Sequence, residues 1–260
     1  MTQLVTVASA AASIAPRTQP APAYAVRLAA SRADLLAAQA LRFEVFNLEL
    51  DEGLAQSYDT GLDADPFDEV CDHLIVEDTS DGSVVGTYRL QTGQRARDGL
   101  GYYSEREFDF SPFEATRSEI LELGRACIHA RHRNFAVLNL LWKGIGTYAR
   151  DRGARYLIGC SSFTTQDAAV GAAAYRQLLP HLAPPAWQTQ PQPAFACPLA
   201  AVAAPGPRIP RLLSAYLALG AAICGPPALD REFKTVDFLT WIDVQAPAVV
   251  AMQRRGRFTV

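Results

Sequence analysis

No apolar run in this chain approaches the roughly 18 residues that a membrane-spanning helix needs. The longest apolar tract, Leu212 to Cys224, is short and is closed by Gly225-Pro226-Pro227. Cysteine is sparse: Cys71, Cys127, Cys160, Cys197 and Cys224 are five in number, widely spaced and without a CxxC pair. That excludes a disulfide framework and a zinc knuckle, and it fits reduced thiols in a cytosolic protein. No charge sign dominates either, since the formal net charge is −3, and bulk electrostatics gives no reason to expect a nucleic-acid partner. There is no internal repeat. What remains is 260 residues that are 49% hydrophobic, 20% charged and 9% aromatic. Such a chain fits one large domain with a sizeable core, not a disordered, collagenous or coiled-coil protein.

Basic residues are missing from one interval altogether. Between Arg42 and Arg89 there is no Lys or Arg, while Glu44, Glu49, Glu52, Asp63, Asp65, Asp68, Asp72 and Asp81 are among the acids there. From Arg125 to Arg155 the balance inverts, with Arg131, Arg133, Lys143, Arg150 and Arg152 facing Asp151 alone. Two charged walls, one for cations and one for anions, are expected; two merely solvated faces are the alternative.

Residues 1–23 are rich in Ala, Ser, Thr and Pro and lack a secretory pattern, so they read as a disordered leader. Residues 24–245 read as the folded domain and 246–260 as a basic tail. Tyr24 to Leu28 predicts a strand, and Ser31 caps a helix running to about Phe46. The acidic stretch from Glu49 to Asp72 has no periodicity and reads as loop with one helical turn. His73–Glu77 and Val84–Leu90 predict strands joined at Asp81-Gly82, a hairpin signal. A helix-like stretch at 103–108 and a loop at 112–118 lead to a strand over 120–128. Ala136 to Arg152 is the best helix, with Val137, Leu141, Ile145 and Tyr148 on one stripe and Gly153 at its C-cap. A strand at 156–160, a helix at 166–179, a Pro-rich bridge at 180–210, a helix at 212–222 and a strand at 238–244 complete the domain. The order implies an α+β fold, a mixed and largely antiparallel sheet with helices on its faces.

Several tempting motifs fail on context. Gly144-Ile145-Gly146 suggests a dinucleotide fingerprint but lies inside a helix. His129 and His132 beside Cys127 lack the partner pair that zinc would need, and no base is positioned for Cys127 or Cys160 to act as a nucleophile. The run Glu122-Leu123-Gly124-Arg125 is different, because it sets a carboxylate and an arginine around a glycine inside an apolar strand. Buried charges are expensive unless paired or functional, and the glycine leaves room for something to approach the sheet. The strand then enters a basic loop at the N-terminus of the Ala136 helix, a natural anion site reinforced by Arg131 and Arg133. A carboxylate beside such a site suits acyl transfer from a phosphopantetheine thioester, with strand N–H groups polarising the carbonyl. A structural Glu–Arg pair next to a solvated helix end is the alternative.

The run from Ile128 to Val137 resembles the pantetheine loop of GNAT N-acyltransferases. More narrowly, Leu41-Arg42-Phe43-Glu44-Val45-Phe46, Cys71-Asp72-His73-Leu74, Val85-Gly86-Thr87-Tyr88-Arg89-Leu90, Tyr103-Ser104-Glu105-Arg106-Glu107-Phe108, Glu122-Leu123-Gly124-Arg125 and Leu141-Trp142-Lys143-Gly144-Ile145 resemble the ornithine-acyl-carrier-protein N-acyltransferases of ornithine-lipid synthesis. Asp230, Phe233 and Asp237-Phe238-Leu239 look similar to the same family, to which N-acyl amino acid synthases and acyl-homoserine-lactone synthases are related. The resemblance implies a GNAT fold, a long-chain and often 3-hydroxylated acyl group on acyl carrier protein, and an amino-acid acceptor, with ornithine first. No cofactor or metal is implied.

The resemblance also assigns roles. Glu122 is the expected general base, with Gly124 and Arg125 beside it and backbone donors from Gly124 to Ile128. Cys127, Ile128, Arg131, Arg133 and Ala136 are expected on the pantetheine. Arg42, Phe46, Asp65, Asp68 and Arg89 are expected on the acceptor, where the arginines hold its carboxylate or brace the acids. The loop at 133–137 lacks the family's usual glycines, which hinders the pyrophosphate of coenzyme A and suits the single phosphate of a carrier protein. The basic block would dock the acidic carrier, and the acidic block would sit near a cationic acceptor. A cytoplasmic enzyme is implied, with Arg254, Arg255 and Arg257 available to touch the inner membrane surface. The rival readings are a lactone-type or other N-acyl amino acid signal synthase, and a non-catalytic lipid- or carrier-binding protein on the same scaffold.

Overall fold

In a computed structural model, residues 23–200, 206–247 and 249–250 are described. The predicted leader up to residue 22 and the tail arginines lie outside them. No described helix is long and apolar enough to cross a membrane.

Eight strands form one sheet: β1 (Tyr24–Leu28), β2 (Asp72–Asp78), β3 (Val84–Thr92), β4 (Ile120–Ile128), β5 (Tyr156–Phe163), β6 (Ala222–Ile223), β7 (Ala228–Asp230) and β8 (Thr235–Asp243). Their order is β1-β2-β3-β4-β5-β8-β6, with β7 also on β8. Every pairing is antiparallel except β4 with β5, so the α+β GNAT expectation holds. The helices are α1 (Arg32–Phe43), continued by a π-helical turn over Glu44–Glu49, then α2 (Ser57–Thr60), α3 (Gly93–Asp98), α4 (Phe135–Asp151), α5 (Ala168–Leu178) and α6 (Arg211–Ala218).

Local chemistry sets the two principal helices. Ser31 Oγ accepts from the Asp34 N–H, and the Asp34 carboxylate accepts from the Ser31 N–H, a capping box that starts α1. α4 starts one residue before the expected position because Asn134 caps it, its side chain accepting from Val137 N–H at 3.1 Å. It ends where Gly153, at φ +67°, turns left-handed. There Ala154 N–H reaches Ala149 O at 2.8 Å and Gly153 N–H reaches Arg150 O at 3.1 Å, a Schellman closure. The Val137, Leu141, Ile145 and Tyr148 stripe is buried against Leu74, Val76 and Leu90 on one face of the sheet. Gly144 is a packing glycine: a Cβ there would meet both Leu74 methyls at 2.8 Å. On the other face Leu41, Val45 and Phe46 pack with Leu54, Cys127 and Phe233.

Several expectations shift. β5 and β8 are longer than read, because they pair residue for residue from Tyr156↔Asp243 to Phe163↔Val236. Ala222, expected as the last residue of a helix, instead forms a strand with Ile223, since the two find Trp241 and Thr240. The acidic interval holds α2 and a 3-10 turn, Pro66–Glu69, which its own residues cap: Asp65 accepts from Phe67 N–H at 2.9 Å. α3 and β7 had no strong periodic signal and were not anticipated.

Candidate active site

β4 is built to be half-paired. It runs parallel to β5 only over Ile120↔Tyr156, Leu121↔Leu157 and Glu122↔Ile158. At the last contact the backbones are so close that a Cβ on Gly159 would lie 2.2 Å from Leu123 O. Beyond it β4 follows β3 while β5 follows β8, and the sheet opens. A bulge sits in the same place. Arg125 is left-handed at φ +49°, and the β3 register slips between Thr87 and Arg89. Leu121 and Leu123, then Ala126 and Ile128, therefore share the α4 face, while Arg125 turns its guanidinium toward the α1 face.

A cavity of about 880 Å³ passes through this gap and is lined from both faces of the sheet. Toward α4 and α6 its wall is apolar, with Leu123, Leu138, Trp142, Leu212 and Tyr216. Toward α1 it is acidic, with Glu52, Glu107, Glu122, Asp230 and Asp237. Of the expected site residues, the structure brings Glu122, Gly124, Arg125, Cys127, Ile128, Arg133, Phe46 and Arg89 to this wall. Arg42, Asp65, Asp68, Arg131 and Ala136 are not on it. Phe135 and Asn134 line the α4 end where Ala136 was expected.

The arginines and aspartates expected at the acceptor form a closed network. Arg42 contacts Asp63 at 2.9 Å and Asp68 at 2.6 Å. Arg89 contacts Asp65 at 2.6 Å and Asp68 at 3.2 Å. Arg125 contacts Asp65 at 2.9 Å and Asp63 at 3.3 Å. Burial pushes the Asp65 and Asp68 carboxyls up, but Arg89 and Arg125 beside Asp65, and Arg42 beside Asp68, hold both below the usual carboxylate range. Of the two roles expected for these arginines, the geometry shows bracing: they fasten the 63–69 turn to α1, β3 and β4.

Glu122 faces the cavity but is well furnished with donors. Its Oε2 accepts from Tyr103 N–H at 2.8 Å, and its Oε1 accepts from Ser104 N–H at 2.8 Å and Ser104 Oγ at 2.5 Å. Burial raises its pKa despite these bonds. Four further acids were overlooked as site residues. Glu107, Asp230 and Asp237 are each buried and offer oxygens within 4.8 Å of one another. Burial first, then Asp237 and Asp230, push Glu107 well above its ordinary range; burial also raises Asp237. Glu52 is pushed up to about 7 by burial, although it accepts from Thr164 Oγ1. The signal for Asp237 was available: like Glu122, it is a carboxylate inside an apolar strand, Val236-Asp237-Phe238.

The two charged walls do not exist as expected. Arg125 is buried in the aspartate network. The rest of the basic block is split by the 17 residues of α4, a separation of about 25 Å, with Arg131 and Arg133 at one end and Arg150, Arg152 and Arg155 at the other. Arg133 reaches Glu49 by two N–H donors and Arg155 pairs with Asp243. Much of the acidic block is likewise spent internally, Glu77 on Arg27 and Asp72 on Arg95.

Comparison with known proteins agrees with this architecture. An acetyltransferase (GNAT) domain profile matches residues 41–143. The chain is 33% identical over 239 residues to an L-ornithine N(alpha)-acyltransferase of Rhodobacter capsulatus, covering 86% of this chain and 91% of that protein. It is 34% identical to the Brucella abortus protein of the same name, covering 85% and 84%. The chain belongs to the L-ornithine N(alpha)-acyltransferase family. It is a GNAT acyltransferase. Its fold is similar to that of the AHL synthase LasI (TM-score 0.52, 14% identity, 89% of this chain and 95% of that one). It is also similar to FeeM, an N-acyl amino acid synthase from uncultured soil microbes (TM-score 0.53, 12% identity, 86% and 92%).

Proposed function

We propose that this acyltransferase moves a long-chain acyl group from the phosphopantetheine thioester of acyl carrier protein to the α-amine of L-ornithine, giving a lyso-ornithine lipid. The observation that carries the reading is the cavity open to both faces of the sheet at the β4–β5 gap. A thioester laid along β4 would enter from the apolar side, and an amine would meet its carbonyl from the acidic side. The relatives' name supports ornithine as the acceptor. The absence of glycine from Arg133 to Val137 and the arginines at that end of α4 support a carrier-protein donor, with Arg133 and the first N–H groups of α4 on its phosphate.

The nitrogen lone pair attacks the thioester carbon, and strand N–H groups between Gly124 and Ile128 take up the developing oxyanion. Room for this exists at Gly124, where a Cβ would find its nearest neighbour, Arg89 Nε, 3.9 Å away. Glu122 receives the amine proton, directly or through a water. Its Oε2 has one donor and keeps capacity to accept another. Collapse of the intermediate forms the amide and expels the thiolate, which leaves as the thiol with that proton. The test is mass spectrometry of the purified chain with L-ornithine and either 3-hydroxyacyl carrier protein or the matching acyl coenzyme A. N-acylornithine is expected chiefly from the carrier thioester; no amide from either thioester would overturn the reading.

A further inference from the structure

Charge balance inside the cavity is lopsided. Glu107, Asp230 and Asp237 are 2%, 4% and 3% exposed, yet among the described residues none of them pairs with a lysine or arginine within 4.0 Å. Arg125, whose field reaches Glu107, is already committed to Asp63 and Asp65. The remaining partners are neutral or acidic: Ser162 hydrogen-bonds the Asp237 carboxyl, Glu107 and Asp237 contact each other, and Cys160 Sγ lies 3.7 Å from Glu107 Oε2. Asp230 Oδ1 accepts from Glu232 N–H at 2.8 Å and Phe233 N–H at 2.9 Å, and Asp237 Oδ2 accepts from Thr235 Oγ1 at 2.9 Å. Asp237 Oδ1 is buried on the cavity wall with no donor in hydrogen-bond geometry among the described residues. An unsatisfied buried carboxylate oxygen costs on the order of 1–3 kcal/mol. Asp63 Oδ2 is also unsatisfied but sits between two arginines, whereas Asp237 Oδ1 is on the cavity wall, where a donor can arrive from outside.

We infer that Glu107, Asp230 and Asp237 form a subsite for the side-chain ammonium of the acceptor, and so make this acyltransferase select a diamino acid over a neutral amino acid of equal length. The inference rests on the acceptor reading given above and adds the residues that distinguish one amino acid from another. A primary ammonium carries three donors and no acceptor. With N···O near 2.8 Å and tetrahedral N–H directions, the oxygens it bridges stand about 4.6 Å apart, which the three carboxylates allow within their 4.8 Å spread. The subsite lies on the acidic side of the gap, opposite the apolar wall, so a bound diamino acid is held by its distal end with its α-amine toward β4. Without that ammonium, burial and the mutual repulsion of the acids push the Glu107 and Asp237 carboxyls above their ordinary range.

The experiment compares wild type with Asp237→Asn, and with Glu107→Gln as a second variant, on L-ornithine and on L-norvaline, which has the same carbon chain without the ammonium. Loss of one charged hydrogen-bond partner predicts that the ornithine-to-norvaline ratio of kcat/KM falls about 10- to 100-fold, through a rise in KM for ornithine. Melting temperature is expected to hold or rise, because an unpaired buried charge is removed and the new amide can donate to Glu107. An unchanged ratio, with both substrates falling together, would overturn the inference, as would a lowered melting temperature in both variants. So would calorimetric binding of magnesium or calcium to the wild type that Asp237→Asn abolishes. Should the wild type acylate no amino acid, the acceptor reading fails on its own, and calorimetry with L-ornithine decides the subsite. Binding lost in Asp237→Asn keeps it, and no binding to the wild type removes it.

Discussion

Two buried acidic clusters lie on the same side of this sheet, and they are solved in opposite ways. Asp63, Asp65 and Asp68 are interleaved with Arg42, Arg89 and Arg125, so three negative charges meet three positive ones at 2.6–3.3 Å. Glu107, Asp230 and Asp237 have no such partner, and Glu52 nearby has only a threonine hydroxyl. The first cluster is charge-balanced and holds elements together. The second lacks a counter-charge and borders a cavity. Burial alone therefore does not mark a functional charge; on the proposed reading, burial without a counter-charge does.

The comparison can be broken most severely at Arg42. Arg42→Met takes the closer cation from both Asp63 and Asp68, leaving them only Arg125 at 3.3 Å and Arg89 at 3.2 Å, and a loss of about 3–5 kcal/mol in urea unfolding is expected. Neutralising Asp237 should cost no stability at all, and that contrast in sign is the sharpest statement of the difference. Glu122 stands between the two regimes, without a cation but with three donors. Glu122→Gln is expected to slow transfer about a hundredfold. Its amide would also set an N–H against Tyr103 N–H or Ser104 N–H, costing about 1–3 kcal/mol. The diagnostic measurement is therefore the pH–rate profile, whose acidic limb should vanish if Glu122 is the base. A limb that persists assigns Glu122 to positioning the 103–104 turn.

The clusters should also respond oppositely to pH. Glu52 binds protons more tightly folded than unfolded, so its contribution is greatest at low pH and is lost as pH rises from about 4.5 to about 7. Asp65 and Asp68 bind protons less tightly when folded, so their contribution is present above pH 4 and is lost on further acidification. Stability is thus expected to be greatest in mildly acidic buffer, and Glu52→Gln should flatten the decline toward neutrality in thermal melts. The smallest effect is expected at the surface. Replacing Arg131 and Arg133 by Glu should raise KM for acyl carrier protein several-fold at low salt and less at high salt. Arg155→Glu, at the far end of α4, should leave that KM unchanged.

Much of this was legible in the residues. Alternation and turn signals placed the β2–β3 hairpin, and the apolar strand enclosing Glu122-Leu123-Gly124-Arg125 marked β4 to the residue. The capped and striped α4 was also readable. What could not be read was which charge meets which. Three arginines that look free to grip a carboxylate in one dimension are consumed by aspartates 21 to 60 positions away in sequence. A basic block continuous in sequence is cut in two by the length of its own helix. Asp230 and Asp237 become site residues only because β8 lies beside β5, a pairing formed across about 80 residues.

Among the described residues three pairs, Ile120 to Glu122 with Tyr156 to Ile158, form the ladder of the seam between the leaf β1–β4 and the leaf β5–β8, extended by Arg155 N–H to Glu119 O at 2.8 Å. Gly159 stands at the end of that seam, where even a methyl group would strike Leu123 O. On the proposed reading, the aperture at which the two reactants meet is thus calibrated by an atom that is missing. Any side chain at 159 would wedge the leaves apart along their common spine and change what can pass, with the chemistry on either rim untouched.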